Sequence, residues 1–255
     1  MKQTTLLALL VVFAFGGCAS DETTASSGGE GTMQVKMVDA PASQYDSIVV
    51  TVTEVSVHGS GSAGGWTTVS STARSYNLLS LVNGAEAVMG EVKLSAGLYS
   101  QLRMTLSDSC RVYAGGVMLS LKVPSNQIIV NIHAEIAANV TTTLVLDFDA
   151  SRSLVMTGTG LIMKPVIRAL TTSSAGYIQG SVNIRSSVTA YGNGDTLGTV
   201  TGSNNSFKIM YARPGTYSLT IVSGSALFHD STLTNISVVS GQTTNVGMIN
   251  LRAKL

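Results

Sequence analysis

Three aspartates are the residues of this 255-residue chain whose types and spacing could carry chemistry. Asp147 and Asp149 lie two residues apart in a predicted strand, so their side chains share a face about 7 Å apart. Asp39 ends the first predicted strand, and Pro41 favours an extended backbone at Ala40. A sandwich fold could therefore place the Asp39 carboxylate near Asp147 and Asp149. Hard carboxylate oxygens suit calcium, and a carboxylate pair suits acid–base hydrolysis.

The same aspartates also have a purely structural interpretation. Ser151 and Arg152 stand where a calcium loop would place a third ligand and a glycine, so the calcium-loop consensus is absent. Aspartates at strand ends often cap turns, and Arg152 is close enough to pair with one of them. Two alternatives therefore stay open: a weak calcium or ligand site at Asp39, Asp147 and Asp149, or a set of capping and arginine-paired carboxylates. We predict no catalytic residue and no cofactor other than calcium.

Familiar catalytic and nucleotide motifs give little support to other chemistry. Neither Gly-x-Ser-x-Gly nor His-Glu-x-x-His occurs in the sequence, so the commonest hydrolase and zinc-protease signals are missing. Residues 59–64 match Gly-x-Gly-x-x-Gly, but dinucleotide binding requires a helix N-terminus after the glycines. Trp66 begins another predicted strand instead, so we interpret this segment as a hairpin loop.

The histidines, the internal cysteine and the tryptophan each have a structural interpretation. His58, His133 and His229 are far apart, and none has a second His or Cys at metal-ligand spacing. Cys110 continues the apolar phase of the preceding strand, which predicts a buried, inert thiol. Trp66 could stack on a ligand, but we interpret it as a lid over one end of a sandwich.

The elements that must position these residues are strands, because apolar residues recur at every second position rather than with the 3.6-residue period of a helix. In residues 47–58 the apolar phase switches face, which a β-bulge or a crossing between sheets would explain. A short helical turn is expected only near residues 76–83. Alternation is clearest at Met33–Met37, Leu98–Leu106, Val117–Val123 and Ile128–Ile132. We therefore predict an all-β protein with two antiparallel β-sandwich domains in tandem.

The N-terminal segment has a short apolar run that ends at a cysteine. Lys2 precedes a run of about ten apolar residues, too short to span a bilayer, and Gly16-Gly17 then precedes Cys18. This pattern resembles the signal peptide of bacterial lipoproteins, which implies cleavage after residue 17, lipidation of Cys18 and anchoring to a membrane. Ala19 replaces the aspartate that retains many such proteins in the inner membrane, so we expect the outer membrane of a Gram-negative bacterium.

Composition and linkers suggest how the mature chain is divided. Residues 18–31 comprise the lipidated cysteine and a flexible, Ser/Gly-rich tether. One domain is predicted over 32–170 and a second over 176–255, separated by a Thr/Ser-rich joint without large apolar residues. We expect the two to fold independently. With Lys2 removed, 14 basic residues face 14 acidic residues, so the cationic field needed to bind nucleic acid is missing.

The larger predicted domain contains an ordered set of short motifs. They are Asp39-Ala40-Pro41, Val50-Thr51-Val52, Val57-His58, Gly65-Trp66, Asn77-Leu78-Leu79, Ala96-Gly97-Leu98-Tyr99, Leu146-Asp147-Phe148-Asp149 and Lys164-Pro165-Val166-Ile167. In this order they resemble a bacterial lipoprotein family catalogued only as a domain of unknown function. The resemblance implies an extracytoplasmic sandwich and no activity.

The C-terminal part contains four characteristic segments. They are Gly180-Ser181-Val182, Ser206-Phe207, Pro214-Gly215-Thr216-Tyr217-Ser218-Leu219 and Val239-Ser240-Gly241-Gln242-Thr243. These segments resemble the transthyretin-like or carboxypeptidase-regulatory-like sandwich. The resemblance implies a module that accompanies other domains and has no catalytic residues.

Three functional hypotheses follow from the sequence. The first is a non-catalytic envelope lipoprotein that binds or displays a glycan, a peptide or another envelope protein. The second is a hydrolase that uses Asp147 and Asp149, with the C-terminal sandwich as an accessory. The third is a structural spacer.

Overall fold

The structure is a computed structural model that describes residues 29–42, 44–60, 64–158 and 160–254. The predicted signal peptide, Cys18 and most of the predicted tether lie outside the described residues. No helix in the described ranges is long and apolar enough to cross a bilayer.

The N-terminal strands form two sheets that pack face to face. In chain order they are β1 (Glu30–Asp39), β2 (Ser47–Gly59), β3 (Gly65–Ser70), β4 (Arg74–Asn77), β5 (Ala87–Ser95), β6 (Gly97–Leu106), β7 (Arg111–Ala114), β8 (Val117–Lys122), β9 (Gln127–Ile136), β10 (Thr141–Phe148), β11 (Leu154–Thr157), β12 (Gly160–Met163) and β13 (Ile167–Thr171). Within the described residues one sheet has the order β13-β10-β1-β5, and the other runs β11-β12-β8-β7-β2-β6-β9 with β3 and β4 beside β2. We call them the N-terminal sheet pair.

The remaining strands form a second, smaller sandwich, which we call the C-terminal sheet pair. They are β14 (Gly176–Val182), β15 (Ser186–Gly192), β16 (Asp195–Val200), β17 (Ser206–Ala212), β18 (Gly215–Ser223), β19 (Ser231–Val238) and β20 (Thr243–Ile249). The described strands are ordered β17-β14-β20 in one sheet and β16-β15-β18-β19 in the other. Each sheet pair encloses its own apolar core, as alternation with period two requires.

The all-β prediction is confirmed, but the sheets are mixed rather than purely antiparallel. Strand β1 runs parallel to β10, β8 parallel to β12, and β14 parallel to β20. Apolar alternation marks a strand and its buried face but says nothing about the direction of its neighbour. In each of these pairs other strands lie between the two partners in the sequence, so no hairpin turn joins them and no turn motif predicts their pairing.

Local irregularities predicted from the sequence are present. Strand β2 shifts register against β6 between Val52 and Glu54, where its apolar phase changes. The expected helical turn is a 3-10 turn over Leu78–Ser80. The short helix α1 (Ala150–Ser153), directly after β10, was not predicted.

A third apolar cluster joins the two sheet pairs. Val38 of β1, Val145 of β10 and Leu170 of β13 pack against Tyr211 of the C-terminal sheet pair and against Ala175, the last residue of the Thr/Ser-rich joint. The joint also forms a 3-10 turn over Thr172–Ser174. The contacts between the sheet pairs therefore include the joint itself at Ala175, and independent folding of the two stays a prediction.

Candidate functional site

Strands β1 and β10 bring the three predicted aspartates to one end of the N-terminal sheet pair. In their parallel register Asp39 lies opposite Phe148, between Asp147 and Asp149. The Asp39 Oδ1 accepts a 2.9 Å hydrogen bond from the backbone N–H of Ala150. The sequence-based expectation that Asp39 approaches the end of β10 is therefore confirmed.

Asp39 is a buried acid with one unsatisfied oxygen. Only 5% of the residue is exposed, and its Oδ2 has no hydrogen-bond partner among the described residues. Desolvation raises the pKa of Asp39 from 3.8 to about 8, against the lowering effect of the Ala150 hydrogen bond, and nearby Asp147 and Asp149 raise it further. Asp39 is therefore mainly protonated and neutral at pH 7.

Asp149 caps helix α1, as the structural interpretation anticipated. Its Oδ1 accepts hydrogen bonds from the Arg152 backbone N–H at 3.0 Å and from the Ser151 hydroxyl at 2.6 Å. Its Oδ2 accepts from the Arg152 Nε, which completes an ion pair. The carboxylate thus satisfies a free N–H of the first helical turn while its charge is neutralised.

Asp147 pairs with Arg168 rather than with Arg152. The two residues lie opposite each other in the β10–β13 register, and the Arg168 Nη2 is 2.8 Å from the Asp147 Oδ2. Burial raises the pKa of Asp147, and the charge of Arg168 opposes that rise. Asp147 points away from the core formed by alternate residues of β10, toward the C-terminal sheet pair.

Arg168 connects the sheet pairs through its guanidinium group. Its Nη1 donates to the Asp195 Oδ2 at 3.0 Å, and its Nη2 donates to the Tyr211 carbonyl oxygen at 2.9 Å. Asp195 also accepts from the Arg213 Nη1 at 2.8 Å and from the Tyr217 hydroxyl at 3.2 Å. A buried ion network of this kind is costly to break by removing one partner.

Tyr211 adds a second link and sits in an unusual backbone conformation. Its φ of +58° lies in the left-handed region, which is uncommon for a bulky residue. A register shift in β14–β17 pairing occurs beside it. The hydroxyl donates to the Glu86 Oε2 at 2.6 Å, and Glu86 also pairs with Lys36 of β1. Contacts at both ends of Tyr211 hold this strained conformation in place.

Asn83, in the turn formed by Asn83 and Gly84, forms a third link. Its Oδ1 accepts from the Lys208 backbone N–H at 2.7 Å, and its own N–H donates to the Thr199 hydroxyl at 3.1 Å. The turn therefore docks against both sheets of the C-terminal sheet pair. No sequence signal distinguishes this docking role from that of an ordinary turn.

A cleft of about 390 Å³ opens beside this network, and we call it the interface cleft. Its polar lining comes from both sheet pairs. It contains Asn131, Asp147, Asp149, Arg152, Arg168, Asp195, Thr196 and Arg213. Sequence reasoning identified only the aspartates of β10 and Arg152, because the other lining residues converge through tertiary packing rather than through sequence spacing.

The remaining candidates lie elsewhere. Cys110 is buried, and desolvation raises the pKa of its thiol, as expected of an inert cysteine. Trp66 lies on β3 and is exposed, with the Arg103 guanidinium 4.4 Å from its ring centroid and His58 edge-on. His133 and His229 are exposed. Across the described ranges no group of three or more His, Cys, Asp or Glu residues is placed to hold a metal ion.

Comparison with known families gives one match. A family described as a domain of unknown function (DUF4382) matches residues 30–165, just over half of the chain. This confirms the predicted resemblance of the larger part to a domain of unknown function. No curated protein matches the chain.

Solved structures give only distant likenesses. A chain of a cohesin–X-dockerin complex from Acetivibrio cellulolyticus is 22% identical, covers 31% of this chain and 58% of its own length, and has a TM-score of 0.26. The minor pilin GBS52 of Streptococcus agalactiae is 10% identical, with coverage of 88% and 97% and a TM-score of 0.24. The shaft pilin SpaA of Lactobacillus rhamnosus GG is 6% identical, with coverage of 90% and 100% and a TM-score of 0.26. At these TM-scores the likenesses carry no functional argument.

Proposed function

Because the chain belongs to the DUF4382 family, whose function is unknown, we propose a function from its own sequence and geometry. The protein is a non-catalytic cell-envelope lipoprotein that holds a ligand-binding cleft away from the membrane. Cys18 anchors it, in the outer membrane of a Gram-negative host, and residues 19–29 tether it, since the last two residues of the predicted tether belong to β1. The C-terminal sheet pair is a transthyretin-like accessory sandwich that supplies one wall of the cleft.

The path of β1 is the observation that carries this proposal. The strand begins at Glu30, where the tether ends, and finishes at Asp39, beside the interface cleft. Ten residues of strand span about 30 Å at about 3.3 Å per residue. The attachment point and the cleft therefore lie at opposite ends of the N-terminal sheet pair, as a module that displays a binding site to the solvent would require.

The state of the carboxylates supports a binding role over hydrolysis. A general acid and a general base must be free to exchange protons with a substrate. Asp147 and Asp149 are instead each engaged by an arginine, and Asp39 is buried behind them. The lining of the cleft is thus arranged to present guanidinium groups, and no carboxylate of the set is left free to act as a base.

Site-specific fluorescence quenching tests the display geometry. A fluorophore is attached to Thr196→Cys in the cleft or to Lys93→Cys beside the tether, both exposed positions, in lipidated protein reconstituted into vesicles that carry a headgroup quencher. We expect strong quenching at position 93 and weak quenching at position 196. Equal quenching at both positions would show that the molecule lies flat on the membrane and would contradict the proposal.

A further inference from the structure

The interface cleft has hydrogen-bond donors that have no acceptor among the residues the structure describes. Arg152 engages Asp149 only through its Nε and backbone N–H, and Arg213 engages Asp195 through its Nη1 and backbone N–H. The other guanidinium nitrogens of both arginines have no partner within the described ranges. The same holds for the side chains of Asn131 and Thr196, which also line the cleft.

The exposed charges of the cleft are positive and its negative charges are buried. The side chains of Arg152 and Arg213 are 58% and 45% exposed, whereas those of Asp147, Asp149 and Asp195 are between 1% and 16% exposed. A ligand entering the cleft therefore meets two guanidinium groups first. The carboxylates behind them already accept hydrogen bonds and ion pairs, so they have little to offer a cationic ligand.

The size of the cleft limits the ligand. Small-molecule pockets in proteins span about 300–1000 Å³, and 390 Å³ is near the lower end of that range. A single sugar ring or an amino-acid residue fits this volume, while a folded partner does not. Arginine forks recognise carboxylates through two parallel hydrogen bonds, and the amide and hydroxyl groups would contact neighbouring oxygens.

We propose that the interface cleft binds a small carboxylate-bearing ligand, with the carboxylate held by Arg152 and Arg213 and its neighbouring oxygens by Asn131 and Thr196. This inference rests on the proposed function and names the ligand class of the same site. The shared chemistry is a carboxylate on a compact polar body. An acidic sugar and the C-terminus of a peptide both have it.

Titration of the full-length mature protein with matched probes tests this chemistry. Galacturonate is compared with galactose, and N-acetylalanine with N-acetylalanine amide, by calorimetry and by shifts in amide NMR spectra. We expect at least one carboxylate probe to bind and its neutral counterpart to bind at least about tenfold more weakly. Its binding should shift the backbone amides of Gly194 and Thr196 at the cleft. The probe that binds identifies the source of the carboxylate.

Matched arginine variants separate the cleft from general charge effects. Arg152→Gln and Arg213→Gln should each weaken binding of the carboxylate probe at least about tenfold, and Arg152→Lys should restore only part of it. Arg103→Gln removes the same charge at Trp66, outside the cleft, and should leave binding unchanged. Melting temperatures confirm that each variant is folded.

Three results would overturn the ligand assignment: no probe binds, the neutral probes bind as well as their acids, or the arginine variants bind like the wild type. None of these would alter the fluorescence-quenching result, so failure of the ligand assignment is distinguishable from failure of the display proposal.

Discussion

Replacing Asp39 with asparagine should stabilise the protein at neutral pH and leave its stability almost unchanged at acidic pH. The folded state holds Asp39 with a pKa of about 8, whereas the unfolded chain releases that proton near pH 3.8. Asp39 makes its full contribution to the free energy of unfolding below pH 3.8. That contribution is lost as the pH rises toward 8, because between these pH values Asp39 is ionised in the unfolded chain but still protonated in the folded protein. The loss is about 1.4 kcal/mol per pH unit.

The asparagine variant lacks this titration but keeps an oxygen that can accept from the Ala150 N–H. The difference in unfolding free energy, variant minus wild type, should therefore grow by about 4 kcal/mol between pH 4.5 and pH 7.5. Urea denaturation at a series of pH values measures this difference. The variant and the wild type share every other titrating group, so the pH dependence of the difference reports on Asp39 alone.

Asp46→Asn is the matched control. Asp46 is exposed and accepts one hydrogen bond from the Gly116 N–H. The difference in unfolding free energy between Asp46→Asn and the wild type should change far less between pH 4.5 and pH 7.5. If the Asp39→Asn difference is instead constant with pH, Asp39 is ionised in the folded protein, and burial of its carboxyl group does not keep it protonated.

Four further predictions address the ions, the anchor and the interface. Calcium and chelators should leave the melting temperature unchanged, because arginines already neutralise Asp147 and Asp149; a calcium-dependent rise that is lost in the doubly Asn-substituted variant would show a metal site. Cys18→Ser should yield an uncleaved or soluble product in cell fractionation, because stable attachment needs more than one acyl chain; an unchanged membrane fraction would refute the anchor. Arg168→Met should destabilise the full chain by about 3–5 kcal/mol in urea denaturation, since it leaves the buried Asp147 carboxylate of the N-terminal sheet pair without its ion-pair partner; a loss below 1 kcal/mol would mean that the network contributes little. A fragment of residues 176–255 should unfold cooperatively in calorimetry, and a disordered fragment would show that it depends on the N-terminal sheet pair.

The strands and their buried faces could be predicted because a half-buried strand imposes a period of two on its own residues. Leu144, Leu146 and Phe148 thus face the core and Asp147 faces away, as their alternation indicated. The bulge in β2 left its own signature in the apolar phase. The parallel pairing of strands left no signature in the sequence, because the relative direction of two neighbouring strands depends on which distant part of the chain pairs with each strand.

The site was only partly predictable for a related reason. Asp149 caps a turn beside its own arginine, and both residues are close together in the sequence. Asp195 follows an Asn-Gly turn signal, which favours exposure, yet its side chain is almost completely buried against Arg168. Burial of that kind is created by the docking of two sheet pairs, and no local pattern of residue types encodes it.

Native mass spectrometry of protein extracted from its own membrane by mild detergent shows whether the interface cleft is a binding site. Wild-type protein should retain a small bound ligand, and a variant combining Arg152→Gln with Arg213→Gln should lose it while remaining folded and membrane-bound. If the wild type and the variant both emerge without a ligand, or both keep the same ligand, the cleft is not the binding site.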